Sequence, residues 1–195
     1  MHGLVNRALQ EFLKDTYGPE TWTEVRNQAG LPFEEFESML HYEVRLTLKL
    51  VAATCFVLQK EAAVILEDIG IWLVSTPERE PVRRLLRFGG ATFLEFLQSL
   101  EELPGRARMA LPDLDMPEIA LHADGPRRFI LETKWALPGI GSVLLGTLRV
   151  MADDYGALVL LDSEIGENGR ETLVIELLET QFSAGQAFEL GTRVS

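Results

Sequence analysis

The sequence predicts an α+β fold in which helices come first and an antiparallel sheet follows. In the first half of the chain, apolar residues recur at the three- and four-residue steps of amphipathic helices. The later part contains short β-like runs, two of them joined by a turn with Asn168-Gly169, which is a strong hairpin signal. We expect a single domain over residues 1–195, with a helical part at 1–75 and a part at 76–195 that adds a further helix and the sheet.

Apolar spacing and end signals predict the first helices. The first should end near Gly18, because a glycine after the last apolar residue is a common helix stop. Pro19 should begin a second, short helix. A loop with a short helix is expected over residues 31–42. Residues 44–58 contain only two charged side chains, so the helix predicted there should be buried over most of its surface.

Further helices are expected between residue 60 and residue 103. A helix from residue 60 to about residue 73 is followed by a capping pattern at Ser75–Glu78, which predicts the start of the next helix. A later helix, which we call the signature helix, should run from Ala91 to about Leu103. Pro104 should end it, because the proline ring removes an amide donor and clashes with the preceding turn.

The last part combines candidate strands with one helix. Strands are expected at residues 118–122, 128–135, 158–161, 172–178 and 188–190. The helix, over residues 139–154, opens with Gly139-Ile140-Gly141-Ser142, a pattern that invites comparison with a phosphate-binding turn. Leu144 stands where that pattern needs its third glycine. We therefore interpret the turn as a site of close helix–sheet packing.

Composition and charge argue against several classes of function. The formal net charge is −12, which disfavours nucleic acid and anionic membranes as partners. The longest central apolar run, residues 50–58, is far shorter than the ~20 residues that cross a bilayer. Cys55 is the only cysteine, so no intrachain disulfide is possible, and we predict a cytoplasmic protein. No spacing typical of a catalytic triad is present, so no enzyme activity is predicted.

The signature helix and its surroundings resemble a known family. Residues Phe93–Pro104 follow the pattern F-L-x-x-L-x-x-L and resemble the signature helix of the heme-nitric oxide/oxygen binding (H-NOX) family. Other segments resemble the same family in order and spacing: Met1–Asn6, Tyr17–Trp22, Leu66–Trp72, Leu86–Gly90 and Val174–Leu177. The resemblance implies a helical half packed on a half that mixes an antiparallel sheet with helices, and heme held between them.

The resemblance implies two anchors for heme. A proximal histidine ligates the iron, and a Tyr-x-Ser-x-Arg motif binds the propionates. In this sequence the histidine position is Pro104, and the motif falls on Thr133, Trp135 and Leu137. Because both anchors are missing, burial of propionates would carry an uncompensated desolvation cost. We therefore interpret the chain as an H-NOX-like sensory or signalling domain with a degenerate heme site.

The resemblance also indicates where a pocket should lie. The expected positions are Val5, Leu9, Leu97, Leu100, Pro104, Thr133, Trp135 and Leu137. Because bulky, uncharged side chains occupy the clamp positions, we expect the pocket to be filled or to suit an apolar small ligand. Family members usually signal to a kinase or a cyclase, so the resemblance implies a signalling partner, here in trans.

Two alternatives remain open at this point. One is a heme-based nitric oxide or oxygen sensor with a substituted iron ligand, drawn from His2, His41, His122, Cys55 and Met109, and with a propionate partner among Arg127, Arg128 and Lys134. Against it, His122 should be exposed at a strand end, His41 should be a core or capping residue, and Cys55 should be a small buried hydrophobe. The other is a structural adaptor without a small ligand, whose acidic surface binds a signalling protein.

Overall fold

The computed structural model describes residues 1–77, 80–165, 170–183 and 185. The helices are α1 (Gly3–Tyr17), α2 (Pro19–Gln28), α3 (Val44–Leu58), α4 (Ala62–Ser75), α5 (Glu80–Arg87), α6 (Phe93–Ser99), α7 (Leu103–Ala110) and α8 (Ile140–Tyr155). The strands are β1 (Glu118–Ala123), β2 (Arg128–Lys134), β3 (Leu158–Ile165) and β4 (Arg170–Glu179). This order confirms the predicted α+β fold. None of the described helices combines the length and the apolar character that a membrane span needs.

The strands form one antiparallel sheet in the order β1-β2-β4-β3. Leu131 pairs with Leu173 across β2 and β4, and both side chains are fully buried. Helix α8 packs against β2, β3 and β4, so it covers one face of the sheet. The Asn168-Gly169 turn, the strand expected at 188–190 and the end of the capping pattern at Glu78 lie outside the described residues.

The buried apolar side chains form two clusters. The N-terminal cluster is built from α1–α4 and the loop after α2, and includes Phe12, Leu13, Trp22, Phe36, Leu50 and Trp72. The C-terminal cluster includes Phe93, Phe96, Leu97, Leu100, Leu131, Leu148 and Met151. Helix α4 contributes to both, with Trp72 in the first and Val74 in the second. Because α4 also packs along α8, it connects the two clusters.

The prediction that Pro104 ends the signature helix is wrong. Helix α6 already ends at Ser99, a 3₁₀ turn covers Leu100–Glu102, and α7 begins at Leu103 with Pro104 in its first turn. Proline is well accommodated there, because the first amides of a helix have no intrahelical acceptor and the ring fixes φ near the helical value. Pro104 therefore opens a helix rather than closing one.

The predicted burial of the helix at residues 44–58 is also wrong. Helix α3 has the expected bounds, but its buried residues are Thr47, Leu50, Ala53 and Thr54. Helices α2 and α4 pack against α3, whereas Leu48 and Phe56 are 41% and 62% exposed. A shortage of charged residues does not show that another element covers a helix face, because much of a folded surface is apolar.

The segment between α2 and α3 contains no helix in the described structure, so the short helix expected within residues 31–42 is wrong. The loop is held instead by side chains of the first two helices. The Trp22 indole donates to the Glu34 carbonyl at 3.0 Å, and Gln10 Oε1 accepts the Phe36 amide at 2.9 Å. These bonds satisfy loop backbone groups without helical structure.

Candidate functional site

The signature segment, α6 through α7, begins with a reciprocal cap. Thr92 Oγ1 accepts the Glu95 amide at 3.2 Å, and Glu95 Oε2 accepts the Thr92 amide at 3.2 Å. Leu97 is fully buried, Leu100 is 1% exposed, and Pro104 is buried as well. These three predicted pocket positions therefore lie in the interior of the protein.

Polar contacts attach the signature segment to its neighbours. Glu101 Oε1 accepts the Leu121 amide of the edge strand β1 at 3.0 Å. Arg106 on α7 donates from Nη2 to the Ser99 carbonyl at 2.9 Å and from Nη1 to the Leu85 carbonyl at 3.3 Å. Arg106 thus binds the last carbonyl of α6. Protein groups on both sides of the 3₁₀ turn fix its position.

The positions of the propionate-binding motif lie at and beyond the end of β2. Thr133 is 2% exposed, and its hydroxyl donates to the Glu171 carbonyl of β4 at 3.3 Å. Trp135 is half-buried, and its indole N–H has no acceptor among the described residues. Leu137 is buried. A hydroxyl, an indole and an alkyl side chain therefore replace the charged clamp.

Two clefts flank the same strand end. The larger measures about 310 Å³ and is lined by Asp115, Met116, Glu118, Lys134, Trp135 and Ala136. The smaller measures about 130 Å³ and shares Lys134 and Glu118 with it. Ligand pockets usually measure about 300–1,000 Å³ and are mainly apolar. The mixed charges of these clefts distinguish them from such pockets.

The structure distributes the predicted pocket positions over several places. Leu9 belongs to the N-terminal cluster, whereas Leu97 and Leu100 belong to the C-terminal cluster. Val5 is half-buried on α1. Thr133 lines the smaller of the two clefts and Trp135 the larger. A pocket shared by all eight positions stays a prediction.

His2 and His41 are in ring contact, whereas His122 lies in the sheet. His2 is 2% exposed, and its Nδ1 accepts the Leu4 amide at 3.2 Å, which caps α1. His41 is exposed at the loop surface, with its ring centroid 5.2 Å from that of His2, so the expected core or capping role is wrong. His122 is exposed in β1, as predicted. Across the described ranges, no cluster of three or more histidine, cysteine or acidic residues could hold a metal ion.

The two sulfur candidates differ in exposure. Met109 on α7 is 86% exposed. Cys55 on α3 is half-buried, and burial raises the pKa of its thiol. Because the thiolate is the form that binds metals, a raised pKa makes Cys55 a weaker iron ligand near neutral pH.

The candidate propionate partners are engaged to different degrees. Arg127 donates to the Leu178 carbonyl at 3.0 Å, and Arg128 forms an ion pair with Asp124 at 3.1 Å. Lys134 has no ion-pair partner in the part of the chain that the structure describes. Lys134 is therefore the cation at this strand end that is available to a carboxylate.

The glycine turn before α8 binds a carboxylate of the chain itself. Glu171 on β4 is 8% exposed, and its two oxygens accept the Gly139 amide at 2.5 Å and the Gly141 amide at 2.7 Å. A helix N-terminus favours such an anion. The close helix–sheet packing predicted for this turn is present, because a Cβ at Gly141 would lie 2.7 Å from the same carboxylate. Glu171 is not among the residues that the sequence patterns single out.

Replacement of Glu171 by alanine is expected to lower the free energy of unfolding by about 1–3 kcal/mol, because two amides at this turn lose their acceptor. Urea denaturation measures the change. Glu176→Ala is the matched control, since Glu176 is an exposed carboxylate on the same strand, and its effect should stay within about 0.5 kcal/mol. Equal effects of the two substitutions would contradict the proposed cap.

Comparison with known proteins gives consistent similarities. Residues 2–159 match the Haem-NO-binding family model. Soluble guanylate cyclase gcy-31 of Caenorhabditis elegans is 24% identical over 181 residues, which are 93% of this chain and 24% of that protein. Soluble guanylate cyclase 89Db of Drosophila melanogaster is 20% identical over 158 residues, 81% of this chain and 24% of that protein. The chain spans about a quarter of the length of these relatives.

Solved structures support the same assignment of fold. The unliganded Fe(II) H-NOX protein from K. algicida superimposes with a TM-score of 0.78 at 16% identity, covering 97% of this chain and 100% of that chain. The Fe(II)NO form of an H-NOX protein from S. oneidensis superimposes with a TM-score of 0.75 at 14% identity, covering 92% of this chain and 100% of that chain. H-NOX domains sense gases through heme, signal to cyclases or kinases and are not themselves catalytic. On the family match, the chain belongs to the Haem-NO-binding, or H-NOX, family.

Proposed function

We propose that this chain is an H-NOX signalling domain with a degenerate heme site, and that it acts through a kinase or cyclase in trans in the cytoplasm. The observation that carries the proposal is that no histidine lies in the signature segment. Counted from Phe93, the F-L-x-x-L-x-x-L pattern ends at Leu100, so the residue directly after it, where the family has its histidine, is Glu101 and not Pro104. Glu101 is exposed and its Oε1 accepts the Leu121 amide, while Pro104 is buried in the first turn of α7 and its side chain offers no lone pair to a metal. A heme bound in the family's mode would lose its strongest attachment.

The residues at the clamp positions support the same proposal. Thr133, Trp135 and Leu137 provide no cation for a propionate, and Asp115 and Glu118 line the adjacent cleft. Carboxylates beside propionates would add like-charge repulsion to the desolvation cost. The residues present therefore do not fit heme in the family's mode, and a filled or apolar site suits them better.

A heme-based sensor with a substituted ligand is the second candidate, and Lys134 favours it. This lysine has no ion pair among the described residues, and it lines the same cleft as the unpartnered indole N–H of Trp135. Both groups can donate a hydrogen bond to a carboxylate. The iron would still need a ligand other than the residue at position 104.

Titration of the purified protein with hemin, followed by visible absorption, tests the degenerate site. We expect a broad band that does not saturate, because neither anchor is present. A variant with Glu101→His, Thr133→Tyr, Trp135→Ser and Leu137→Arg should gain a sharp, saturable Soret band, because it restores both anchors. A stoichiometric Soret band in the wild type that shifts with nitric oxide would overturn the proposal and favour the second candidate. Single substitutions of His2, His41, His122, Cys55 and Met109 would then identify the ligand.

A structural adaptor is the third interpretation, and thermal unfolding separates it from the first two. A ligand that binds only the native state must raise the Tm by mass action. An apolar ligand in the domain should therefore raise the Tm further as its concentration rises above its Kd. Failure of hemin and of a panel of apolar small molecules to change the Tm would favour the adaptor.

A further inference from the structure

Helix α3 carries a row of exposed apolar side chains. Leu48 is 41% exposed and Phe56 is 62% exposed, with the exposed Ala52 between them. Residues four apart lie on the same face of a helix, so the three form one row about 12 Å long. We call Leu48, Lys49, Ala52 and Phe56 the α3 face.

The charge of this helix is opposite to that of the chain. Helix α3 contains Arg45 and Lys49 and no acidic residue, although the chain has a net charge of −12. Arg45 pairs with the adjacent Glu43 at 2.9 Å, and both side chains are largely exposed. Lys49 is exposed and has no ion-pair partner in the described structure. The α3 face therefore combines an apolar row with an uncompensated positive charge.

We propose that the α3 face binds an acidic amphipathic helix of a partner protein. The apolar row matches the apolar stripe of such a helix, and the small Ala52 at its centre permits close approach of the two axes. Lys49 beside the row matches carboxylates beside the stripe, which gives the contact its charge selectivity. The inference rests on the proposed partner in trans and names the chemistry of its contact surface.

A second copy of this chain is a poorer occupant of the α3 face. A symmetric contact through this face would place Lys49 of both copies in one interface to which α3 contributes no carboxylate. Charge complementarity therefore favours an acidic partner over self-association.

Binding of a labelled helical peptide to the full chain, measured by fluorescence anisotropy, tests the proposal. The probe has leucines on one face and glutamates beside them, and a matched peptide has lysine in place of each glutamate. The wild type should bind the glutamate peptide at least about tenfold more tightly than the lysine peptide. Phe56→Ser should weaken binding of the glutamate peptide by about tenfold, because the largest apolar contact is lost.

Charge reversal and a matched control make the test specific. Lys49→Glu should weaken binding of the glutamate peptide and strengthen binding of the lysine peptide. Phe88→Ser is the matched control, because Phe88 is also an exposed phenylalanine, at 69%, and it follows α5 rather than lying on α3. This substitution should change neither affinity. Equal affinity of the wild type for both peptides, or an equal loss in Phe88→Ser, would overturn the proposal.

Other occupants of the α3 face give different results. Wild-type dimers that Phe56→Ser dissociates, seen by light scattering after size exclusion, would assign the face to a second copy and overturn the proposal. If the wild type sedimented with phosphatidylserine vesicles and Lys49→Glu abolished this binding, the α3 face would be assigned to a membrane. That result would also overturn the proposal. A saturable heme band would contradict only the degenerate site, since Phe56 and Lys49 are not among the predicted pocket positions.

Discussion

Arg83→Ala is expected to lower the free energy of unfolding by about 3–5 kcal/mol, because it leaves a buried carboxylate without its partner. Asp154 near the end of α8 is 2% exposed, and its Oδ2 lies 2.6 Å from Arg83 Nε on α5. The hydrogen bond to Asp154 raises the pKa of Arg83, so the guanidinium stays charged. Urea denaturation measures the loss of stability.

Arg84→Ala is the matched control for the Arg83 substitution. Arg84 is the neighbouring arginine on α5, and its side chain is 43% exposed with an ion pair to Glu80 at 3.5 Å. Exposed pairs of this kind contribute about 0–1 kcal/mol. The double variant Arg83→Met with Asp154→Leu should recover part of the lost stability, because no buried charge remains. A loss in Arg84→Ala as large as that in Arg83→Ala would rule out the buried pair as the cause.

Gly146→Ala is expected to lower the free energy of unfolding by about 3 kcal/mol, because α4 and α8 pack with their backbones in direct contact. A Cβ at Gly146 would overlap the Glu67 carbonyl of α4, and one at Gly70 would overlap the Val143 carbonyl of α8. A backbone carbonyl cannot yield without moving its helix. Because α4 connects the two hydrophobic clusters, the substitution should also lower the Tm of the whole transition.

Gly105→Ala gives the control for the loss of a glycine in a helix. Gly105 lies in α7, and a Cβ there would have no heavy atom within 4 Å. Alanine should therefore raise the stability by about 0.5–1 kcal/mol through its helix propensity. If Gly146→Ala were as well tolerated as Gly105→Ala, the close contact between α4 and α8 would not exist in solution. Differential scanning calorimetry on both variants decides the matter.

Local signals predicted most elements, and the errors have physical causes. The bounds of α1, α2 and α3 follow from apolar spacing and from the residues at the helix ends. Proline is found both after the end of a helix and in the first turn of one, so its identity alone does not predict the role of Pro104. That role depends on the 3₁₀ turn at Leu100–Glu102, after which a new helix begins. The exposure of Phe56 was missed because periodicity shows which residues share a face and does not show what covers it.

The candidate site was predictable only in part. The replacement of both heme anchors follows from the aligned family motifs and does not need the structure. The binding of Glu171 to the turn before α8 depends on the register of β4 against β2, which places Glu171 opposite Thr133. No local pattern indicates a contact between residues 139 and 171. The exposure of His41 depends in the same way on how the loop between α2 and α3 crosses α1.

The polar contacts of the signature segment set an energetic threshold for any conformational switch within it. The Glu101 carboxylate on the Leu121 amide and the Arg106 guanidinium on the Ser99 carbonyl stabilise one conformation of this segment. Charged hydrogen bonds of this kind contribute about 1.5–3 kcal/mol each. A ligand shifts an equilibrium only by its difference in affinity for the two states. A ligand that displaces this segment must therefore bind the displaced state at least about a hundredfold more tightly than the resting state to offset these bonds.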